Sequence, residues 1–340
     1  MEAQLHHLLE SIAQTHLIFL IGVIGVLLMA LGKSADVLVD EAVVLADRAQ
    51  IPKVIVGATI VSLGTTTPEA AISVLAALKG EPGLALGNAV GSVICDTGLI
   101  LGIAAMMAPL PLDRKMVNRQ GWIQLGAGVL LVASCWAFGD KLPRPVGFAF
   151  LALLGLYVWK SIGWARKTNI QAEEFHEGHA KKESLAPVVG KLLGAVAFVV
   201  AVSHVLIPAI EIAAKIAGVP DHIIAATLVA FGTSLPELVT AVTAVRKGQG
   251  ELAVGNVIGA DILNVLFVVG AACAVTTGGL GIPPTFFKVH FPFMLGVLVF
   301  FRIGIFLSKE KLGRPFGVLL FCSYFAYLLT QFLVLGSLKG

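Results

Sequence analysis

A segment that occurs twice decides the fold of this chain. Residues 51–71 read IPKVIVGATIVSLGTTTPEAA, and residues 219–239 read VPDHIIAATLVAFGTSLPELV. The next segment, LALGNAVGSVICD at 84–96, recurs as LAVGNVIGADILN at 252–264. The copies align without a gap at a constant offset of 168 residues, and about 19 of the 48 pairs formed by residues 51–98 are identical. This similarity indicates an internal duplication.

The composition places the chain in a membrane. Of its 340 residues, 57% are hydrophobic and only 13% are charged, whereas soluble proteins carry about 25% charged residues. A helix needs about 20 apolar residues to cross the hydrocarbon core, and no alternating strand pattern competes with such runs. The sequence predicts an all-α polytopic membrane protein with ten transmembrane helices, at approximately 17–45, 54–78, 84–108, 121–138, 145–164, 187–216, 222–245, 252–276, 284–307 and 314–336.

The duplication predicts two inverted repeats. Five predicted helices separate equivalent positions, and because five is odd, the second copy enters the membrane from the opposite face. We therefore expect a first five-helix repeat at 1–165 and a second at 186–340. Between them, at 166–185, lies the polar segment RKTNIQAEEFHEGHAKKESL, which is expected to be a cytoplasmic linker.

The loops differ in positive charge, and this difference predicts the orientation of the chain. One set of loops contains Arg48, Lys53, Arg114, Lys115, Arg119, Arg166, Lys167, Lys181, Lys182, Arg246, Lys247, Lys309, Lys311 and Arg314. The other set contains only Lys79, Lys141, Arg144, Lys215, Lys288 and Lys339. The first set is expected to be cytoplasmic, which places both termini outside. The net charge of +3 reflects this bias. The sequence contains no contiguous basic patch, so we expect no nucleic-acid partner.

Each copy places a proline and a glutamate within an apolar helix. The motif comprises Gly64, Thr65, Thr66, Pro68 and Glu69 in the first copy and Gly232, Thr233, Ser234, Pro236 and Glu237 in the second. Proline removes a helical hydrogen bond and clashes with the carbonyl four residues earlier, so we expect a break near the bilayer midplane. Freed carbonyls, hydroxyls and a carboxylate are hard oxygen ligands, which suit calcium and sodium. A lone glutamate in hydrocarbon is costly and must face protein, water or an ion.

The following helix carries a second repeated pattern, G-N-x-x-G-(S/A)-x-x-x-(D/N). Its members are Gly87, Asn88, Gly91, Ser92 and Asp96 in the first copy and Gly255, Asn256, Gly259, Ala260 and Asn264 in the second. Glycines four residues apart predict a close helix contact in each copy. Ser92 and Asp96 are also four residues apart and share one helix face. We expect that face to bring Asp96 to the level of Glu69 and Glu237.

Together, these motifs resemble the alpha-repeats of the sodium/calcium exchanger family of cation antiporters. The clearest matches are GTSLPE in the second copy and the GNxxG segments in both copies, and the resemblance is strongest over roughly 95 residues of repeat. The ten-helix, inverted layout is similar to that of the microbial members. The resemblance implies ion sites at the centre of the protein, where one calcium ion competes with several sodium ions.

The resemblance also implies which residues bind each ion. Calcium would be bound by Glu69 and Glu237, with backbone or hydroxyl oxygens of Thr65 and Thr233. Sodium would be bound by Thr66, Ser234, Ser92 and the main-chain oxygens of Ser62 and Ala230.

Two positions depart from the pattern of the microbial exchangers. That pattern has asparagine on the second helix of the first copy and aspartate on that of the second, whereas Asp96 and Asn264 reverse the order and keep the number of carboxylates. Ala260 stands where the pattern has serine, so one hydroxyl ligand is missing from a sodium position. The neighbouring Asp261, which aligns with Val93, either compensates for this loss or lines an aqueous access path.

These observations predict a secondary active antiporter, and not an enzyme, that exchanges calcium for sodium by alternating access. Calcium/proton exchange is an alternative because Glu69, Asp96 and Glu237 are titratable and Ala260 lacks a hydroxyl. Potassium-dependent exchange is another, because the reversal of Asp96 and Asn264 bears on monovalent selectivity. A passive cation channel is a more distant alternative.

The remaining expectations concern surroundings and partners. We expect no cofactor: calcium and sodium, or protons or potassium in the alternatives, are transported ions. The protein is expected to work as a monomer, because each chain holds a whole site. Its predicted location is the plasma membrane, the inner membrane of a microbe.

Overall fold

The structure, a computed structural model, describes residues 17–112, 114–173, 185–216, 231–308 and 310–337. These residues are mainly helical. The helices are α1 (Leu17–Ala49), α2 (Lys53–Thr65), α3 (Thr67–Leu78), α4 (Pro82–Met107), α5 (Arg114–Phe138), α6 (Arg144–Glu173), α7 (Ala186–Ile216), α8 (Leu235–Arg246), α9 (Gly250–Val275), α10 (Phe286–Leu307) and α11 (Arg314–Ser337). Short strands are β1 (Leu110–Pro111), β2 (Lys141–Leu142), β3 (Leu280–Gly281) and β4 (Lys311–Leu312).

Several of these helices are long and apolar enough to span a bilayer. Within the described residues, seven helices meet this requirement: α1, α4, α5, α6, α7, α9 and α10. The pair α2 and α3, bent by 45° at a short break, makes an eighth when it is counted as one span. The chain is therefore a multi-pass helical membrane protein. The predicted span at 222–245 is described only from residue 231 onward.

The end of α6 differs from the sequence prediction. The helix continues to Glu173, so its last turns lie within the segment 166–185 that the sequence predicts to be a linker. Apolar residues end near Trp164, but the segment up to Glu173 contains neither glycine nor proline, so nothing in the backbone stops the helix at the membrane surface.

Helices α4 and α9 form the centre of the bundle, because 83% and 89% of their apolar windows are buried, against 22% for α1. Glycines bring α9 against α2. A Cβ atom added at Gly259 would lie 2.5 Å from Ala58 Cα, and one added at Gly255 would lie 2.3 Å from the carbonyl oxygen of Val54. The predicted close contact is confirmed for this pair of glycines. It is wrong for Gly87, whose added Cβ would meet only the Phe286 ring at an ordinary 3.8 Å.

The strands connect loops from the two halves of the chain. Strand β1 pairs antiparallel with β4, and β2 pairs antiparallel with β3. The loop before α5 therefore lies beside the loop before α11, and the loop before α6 lies beside the loop before α10. Each pair unites loops that share a side in the predicted orientation.

Charged side chains gather at the end of the bundle where α1 ends and α9 begins. Lys247, between α8 and α9, lies 2.8 Å from Asp40 and 3.4 Å from Asp36, both on α1. Lys191 of α7 pairs with Glu41 of α1 at 3.2 Å. Helix α1 also packs along α7. These two helices lie side by side at the margin of the bundle; one ion pair joins them to each other, and Lys247 joins α1 to the segment between α8 and α9.

Candidate ion-binding site

Both copies of the proline motif break their helix at the same place. Thr66 interrupts the helix between α2 and α3 with φ −83° and ψ −2°, and Ser234, its equivalent, precedes α8 with φ −83° and ψ 10°. Pro68 and Pro236 lie in the first turns of α3 and α8, where a missing N–H costs no hydrogen bond. The break that the sequence predicts is therefore confirmed in both copies.

The two motif glutamates lie immediately after these breaks and are buried. Glu69 and Glu237 are each 1% exposed and occupy the first turns of α3 and α8, where the positive end of the helix dipole stabilises a negative charge. The hydroxyl of Thr66 donates to Oε1 of Glu237 at 3.3 Å, so the first break directly contacts the glutamate of the second. Among the described residues, neither carboxylate oxygen of Glu69 has a hydrogen-bond partner.

Asn88 of α4 connects the two breaks from the other direction. Its amide nitrogen donates to the backbone carbonyl of Glu69 at 3.1 Å and to Ser73 at 2.9 Å. Its amide oxygen accepts from Thr233 at 3.2 Å, and Ser92 lies 3.4 Å from the same Thr233 hydroxyl. This network fixes the second break relative to the first.

Asp96 and Asn264 also meet across the duplication. Nδ2 of Asn264 lies 3.5 Å from Oδ2 of Asp96, and both residues are 1% exposed. Each lies in a π-helical turn, Cys95–Ile100 in α4 and Asn264–Val269 in α9. Such turns widen a helix and occur frequently at functional sites.

The remaining predicted ligands are Thr65, Ser62, Ser234 and Ala230. The hydroxyl of Thr65 is buried and donates to the main-chain carbonyl of Ser62 at 3.3 Å. The same carbonyl also accepts from the Thr66 amide at 2.8 Å. Ser234 is buried near Asp96 and Cys95, and its hydroxyl forms no hydrogen bond of normal geometry in the described part of the chain. Ala230 lies outside the described residues.

The carboxylates of this region act on one another electrostatically. Glu69 is influenced by the charges of Glu237 and Asp96, and Asp96 by those of Glu237 and Asp261. In the described residues, none of these groups forms an ion pair with a basic side chain, and no three acidic, cysteine or histidine side chains stand at metal-binding spacing. A cation here must therefore be bound by carboxylates together with hydroxyl, amide or carbonyl oxygens.

Two features of the site were not predicted as part of it from the sequence. The first is the bridge through Asn88, whose amide nitrogen also donates to Ser73; the equivalent of Ser73 in the second copy is Ala241, which offers no such acceptor. Asn256, the equivalent of Asn88, is fully buried, and neither atom of its amide has a partner in the described residues. The repeated G-N pair marks both asparagines in the sequence. Only the structure shows that Asn88 forms a bridge, whereas the amide of Asn256 has no hydrogen-bond partner in the described residues.

Comparisons with known proteins agree with the sequence resemblance. The family model described as sodium/calcium exchanger protein matches residues 18–163 and 188–333. The chain is 33% identical to the inner membrane protein YrbG of Escherichia coli over 90% of this chain and 94% of the relative. It is 29% identical to the sodium/calcium exchanger MaX1 of Methanosarcina acetivorans, over 93% and 99% of the two chains.

A solved structure shares the fold. A structure of the sodium-calcium exchanger NCX_Mj, soaked with sodium and strontium, superimposes with a TM-score of 0.78 at 23% identity and covers 92% of this chain and 99% of the other.

A multi-pass helical bundle whose broken helices enclose buried, unpaired carboxylates defines a secondary ion transporter and not an enzyme. The chain belongs to the sodium/calcium exchanger protein family. It is a sodium/calcium antiporter by family, and calcium/proton exchange, potassium-dependent exchange and a passive channel are not favoured.

Proposed function

We propose that this chain exchanges calcium for sodium by alternating access at one buried site, where the two ions compete for the same oxygens. The observation that carries the proposal is the contact of Thr66 with Glu237, which brings the two helix breaks together around unpaired carboxylate oxygens. A transporter that moves ions through a bilayer needs such charged groups only where an ion neutralises them.

Calcium is assigned to Glu69 and Glu237, with oxygens of Thr65 and Thr233. The two glutamates supply the two negative charges that balance one divalent cation. The open oxygens support this assignment, because a buried carboxylate without hydrogen-bond donors is stabilised most by a bound cation.

Sodium is assigned to oxygens that surround the same centre: the side chains of Thr66, Ser234 and Ser92 and the main-chain oxygens of Ser62 and Ala230. The side chains of Asp96 and Asn264, which contact each other between α4 and α9, are included among these oxygen ligands. Because the ions share carboxylates, sodium entry displaces calcium. An empty site leaves clustered negative charge in a low-dielectric interior, which opposes reorientation and couples the two fluxes.

The architecture we propose is ten transmembrane helices in two inverted five-helix repeats, 1–165 and 186–340, joined by a cytoplasmic segment at 166–185. The paired loops β1 with β4 and β2 with β3 support the inversion, because each loop contacts the loop expected on its own side. Both termini are then outside the plasma membrane, the inner membrane of a microbe. One chain contains a whole site, so a monomer is the proposed working unit.

Helices α1 and α7 are proposed to slide across the core and to open the site to one side at a time. They lie at the margin of the bundle and pack on each other. Gly64, in the broken helix, has no room for a side chain, because an added Cβ would lie 2.4 Å from Val196 of α7. This close contact places α7 directly over the first break.

The test is radioactive calcium uptake into proteoliposomes of the purified chain, with an outward sodium gradient, an outward proton gradient or no gradient. Uptake driven by sodium supports the proposal. Uptake driven only by protons, or equal uptake in all three conditions, would refute it.

A further inference from the structure

A buried polar cluster lies beside the proposed site, and the proposed cycle does not use it. Asp261 of α9, Thr97 of α4 and Gln124 of α5 come from three different helices, and none is more than 2% exposed. The hydroxyl of Thr97 and the amide nitrogen of Gln124 both donate to Oδ2 of Asp261. The same amide nitrogen donates to the hydroxyl oxygen of Thr97 at 3.0 Å. The three side chains thus form a closed hydrogen-bonded triangle.

The duplication provides an internal control for the structural need of this triangle. At the offset of 168 residues, Val93 is the equivalent of Asp261 and Val265 is the equivalent of Thr97. Both valines are buried, at 1% and 2% exposure. The same fold therefore accepts an apolar pair at this place. A buried charge is costly, so its presence in one copy alone requires a role other than packing.

The hydrogen bonds leave one oxygen of Asp261 open. An amide nitrogen can only donate, so the Thr97 hydroxyl hydrogen is directed to Asp261, and Oδ2 accepts both bonds. Oδ1 is buried and has no partner among the described residues. The carboxylate of Asp261 also interacts electrostatically with Asp96 and Glu237, so it belongs to the same group of buried acidic side chains.

We propose that Oδ1 of Asp261 anchors an additional subsite for one monovalent alkali cation, occupied together with the ions of the central site. A single carboxylate balances a single positive charge, whereas calcium is assigned to the pair Glu69 and Glu237. Thr97 follows Asp96 directly in the same π-helical turn, so the subsite adjoins the central one. The inference rests on the proposed function, to which it adds one monovalent ion.

The subsite also offers a reason for Ala260. Serine at that position would add a hydroxyl to a sodium site, and this chain lacks it. An additional carboxylate at the next residue, about 100° further around α9, restores an oxygen ligand with a full negative charge. The ion added at Asp261 then replaces the one that a serine at position 260 would help to bind, so the number of monovalent ions equals that of the serine-containing pattern.

The test is equilibrium binding of radioactive sodium to the purified full chain, with the number of ions bound per chain as the readout. Asp261→Asn is expected to bind one sodium ion fewer than the unmodified chain, and Thr97→Val and Gln124→Leu, which each remove a donor to Oδ2, are expected to bind that ion more weakly. Gln120→Leu is the matched control, because Gln120 is a fully buried amide on the same helix without a partner in the described residues. An unchanged number in Asp261→Asn would overturn the proposal.

Two further measurements distinguish a proton from an alkali cation at Asp261. Binding is measured at two pH values: an unchanged sodium number with an altered pH dependence in Asp261→Asn would assign a proton to Asp261 and refute the cation subsite. Added potassium is expected to displace one bound sodium ion from the unmodified chain but none from Asp261→Asn, and equal displacement from both would refute the subsite. The number of bound sodium ions is measured independently of calcium uptake. A chain that binds sodium at Asp261 but shows no sodium-driven calcium uptake would therefore refute the proposed function and leave the subsite intact.

Discussion

Asp96 and Asn264 occupy equivalent positions in the two copies and contact each other, with 3.5 Å between Oδ2 of Asp96 and Nδ2 of Asn264. A carboxylate on α4 and an amide on α9 thus share one contact between the two repeated segments. Exchanging the two side chains would move the negative charge across this contact and leave its chemistry otherwise intact.

We predict that the double exchange, Asp96→Asn with Asn264→Asp, retains calcium uptake within a few-fold of the unmodified chain. Asp96→Asn alone removes a negative charge that acts on Glu69 and should reduce calcium affinity about tenfold or more, since an attraction between charges a few Å apart inside a protein is worth about 1.4 kcal/mol or more. Calcium uptake at a range of concentrations measures both. A double variant as weak as Asp96→Asn would show that the position of the carboxylate, and not its presence, is essential.

Glu69→Gln should separate stability from transport. Neither carboxylate oxygen of Glu69 has a partner in the described residues, so the substitution loses no hydrogen bond and relieves repulsion from Glu237 and Asp96. We expect the melting temperature without calcium to stay equal or to rise. The stabilisation that added calcium gives should disappear, together with calcium uptake.

Glu251→Gln is the control for this experiment, because Glu251 also lies in the first turn of a helix but is outside the site. It should leave both calcium stabilisation and uptake unchanged. A Glu69→Gln chain that still transports calcium at the rate of the unmodified chain would contradict the role assigned to Glu69.

The sequence predicted the helix breaks because proline and glycine act locally on the backbone. Thr66 and Ser234 interrupt their helices at equivalent places, as the repeated motif requires. Which atoms meet across the bundle depends on long-range packing that no local pattern contains. The contact of Thr66 with Glu237, the bridge through Asn88 and the triangle around Asp261 join residues more than a hundred positions apart or on different helices, and only the structure reveals them.

The end of α6 is a local feature that the sequence pattern nevertheless failed to predict. Polarity marks the membrane surface in the sequence, but it does not mark the end of a helix, since Lys, Arg, Gln and Glu are good helix formers. The helix therefore continues to Glu173 although the apolar run ends earlier. Hydropathy therefore marks where the apolar residues end and not where the helix ends.

Gly259→Ala should disrupt the centre of the bundle. The added Cβ would lie 2.5 Å from Ala58 Cα and 2.6 Å from Ser62 Oγ, and the first of these neighbours belongs to the backbone and cannot rotate away. Overpacking of this kind typically costs about 1–3 kcal/mol. We expect a lower melting temperature and weaker ion binding, because α2 must move away from α9.

Gly194→Ala is the matched substitution. Gly194 lies within α7, and an added Cβ would meet nothing within 4 Å. Alanine there should be neutral or slightly stabilising, by up to about 1 kcal/mol, since glycine is the weaker helix former. Equal melting temperatures for the two variants would argue against the close packing of α9 on α2.

Lys247 should control the position of α1, because it pairs with Asp36 and Asp40 and links that helix to the end of α8. Burial lowers the pKa of Lys247, but the hydrogen bonds and charges of Asp40 and Asp36 outweigh it and raise the pKa above 10.5, so the lysine stays charged at neutral pH. The side chains are partly exposed, and such pairs contribute about 0–1 kcal/mol. Lys247→Met should therefore change the melting temperature little but shift the equilibrium between the two access states by roughly two- to fivefold.

The shift is measured as a change in the distance distribution between spin labels on α1 and α8, together with the maximal rate of calcium uptake. Lys247→Arg, which keeps the charge, should behave as the unmodified chain. High salt should bring the unmodified chain towards Lys247→Met, because exposed ion pairs are screened. A Lys247→Met chain with an unchanged distance distribution at low salt would show that these ion pairs do not hold α1 in place and that packing against its neighbouring helices determines its position.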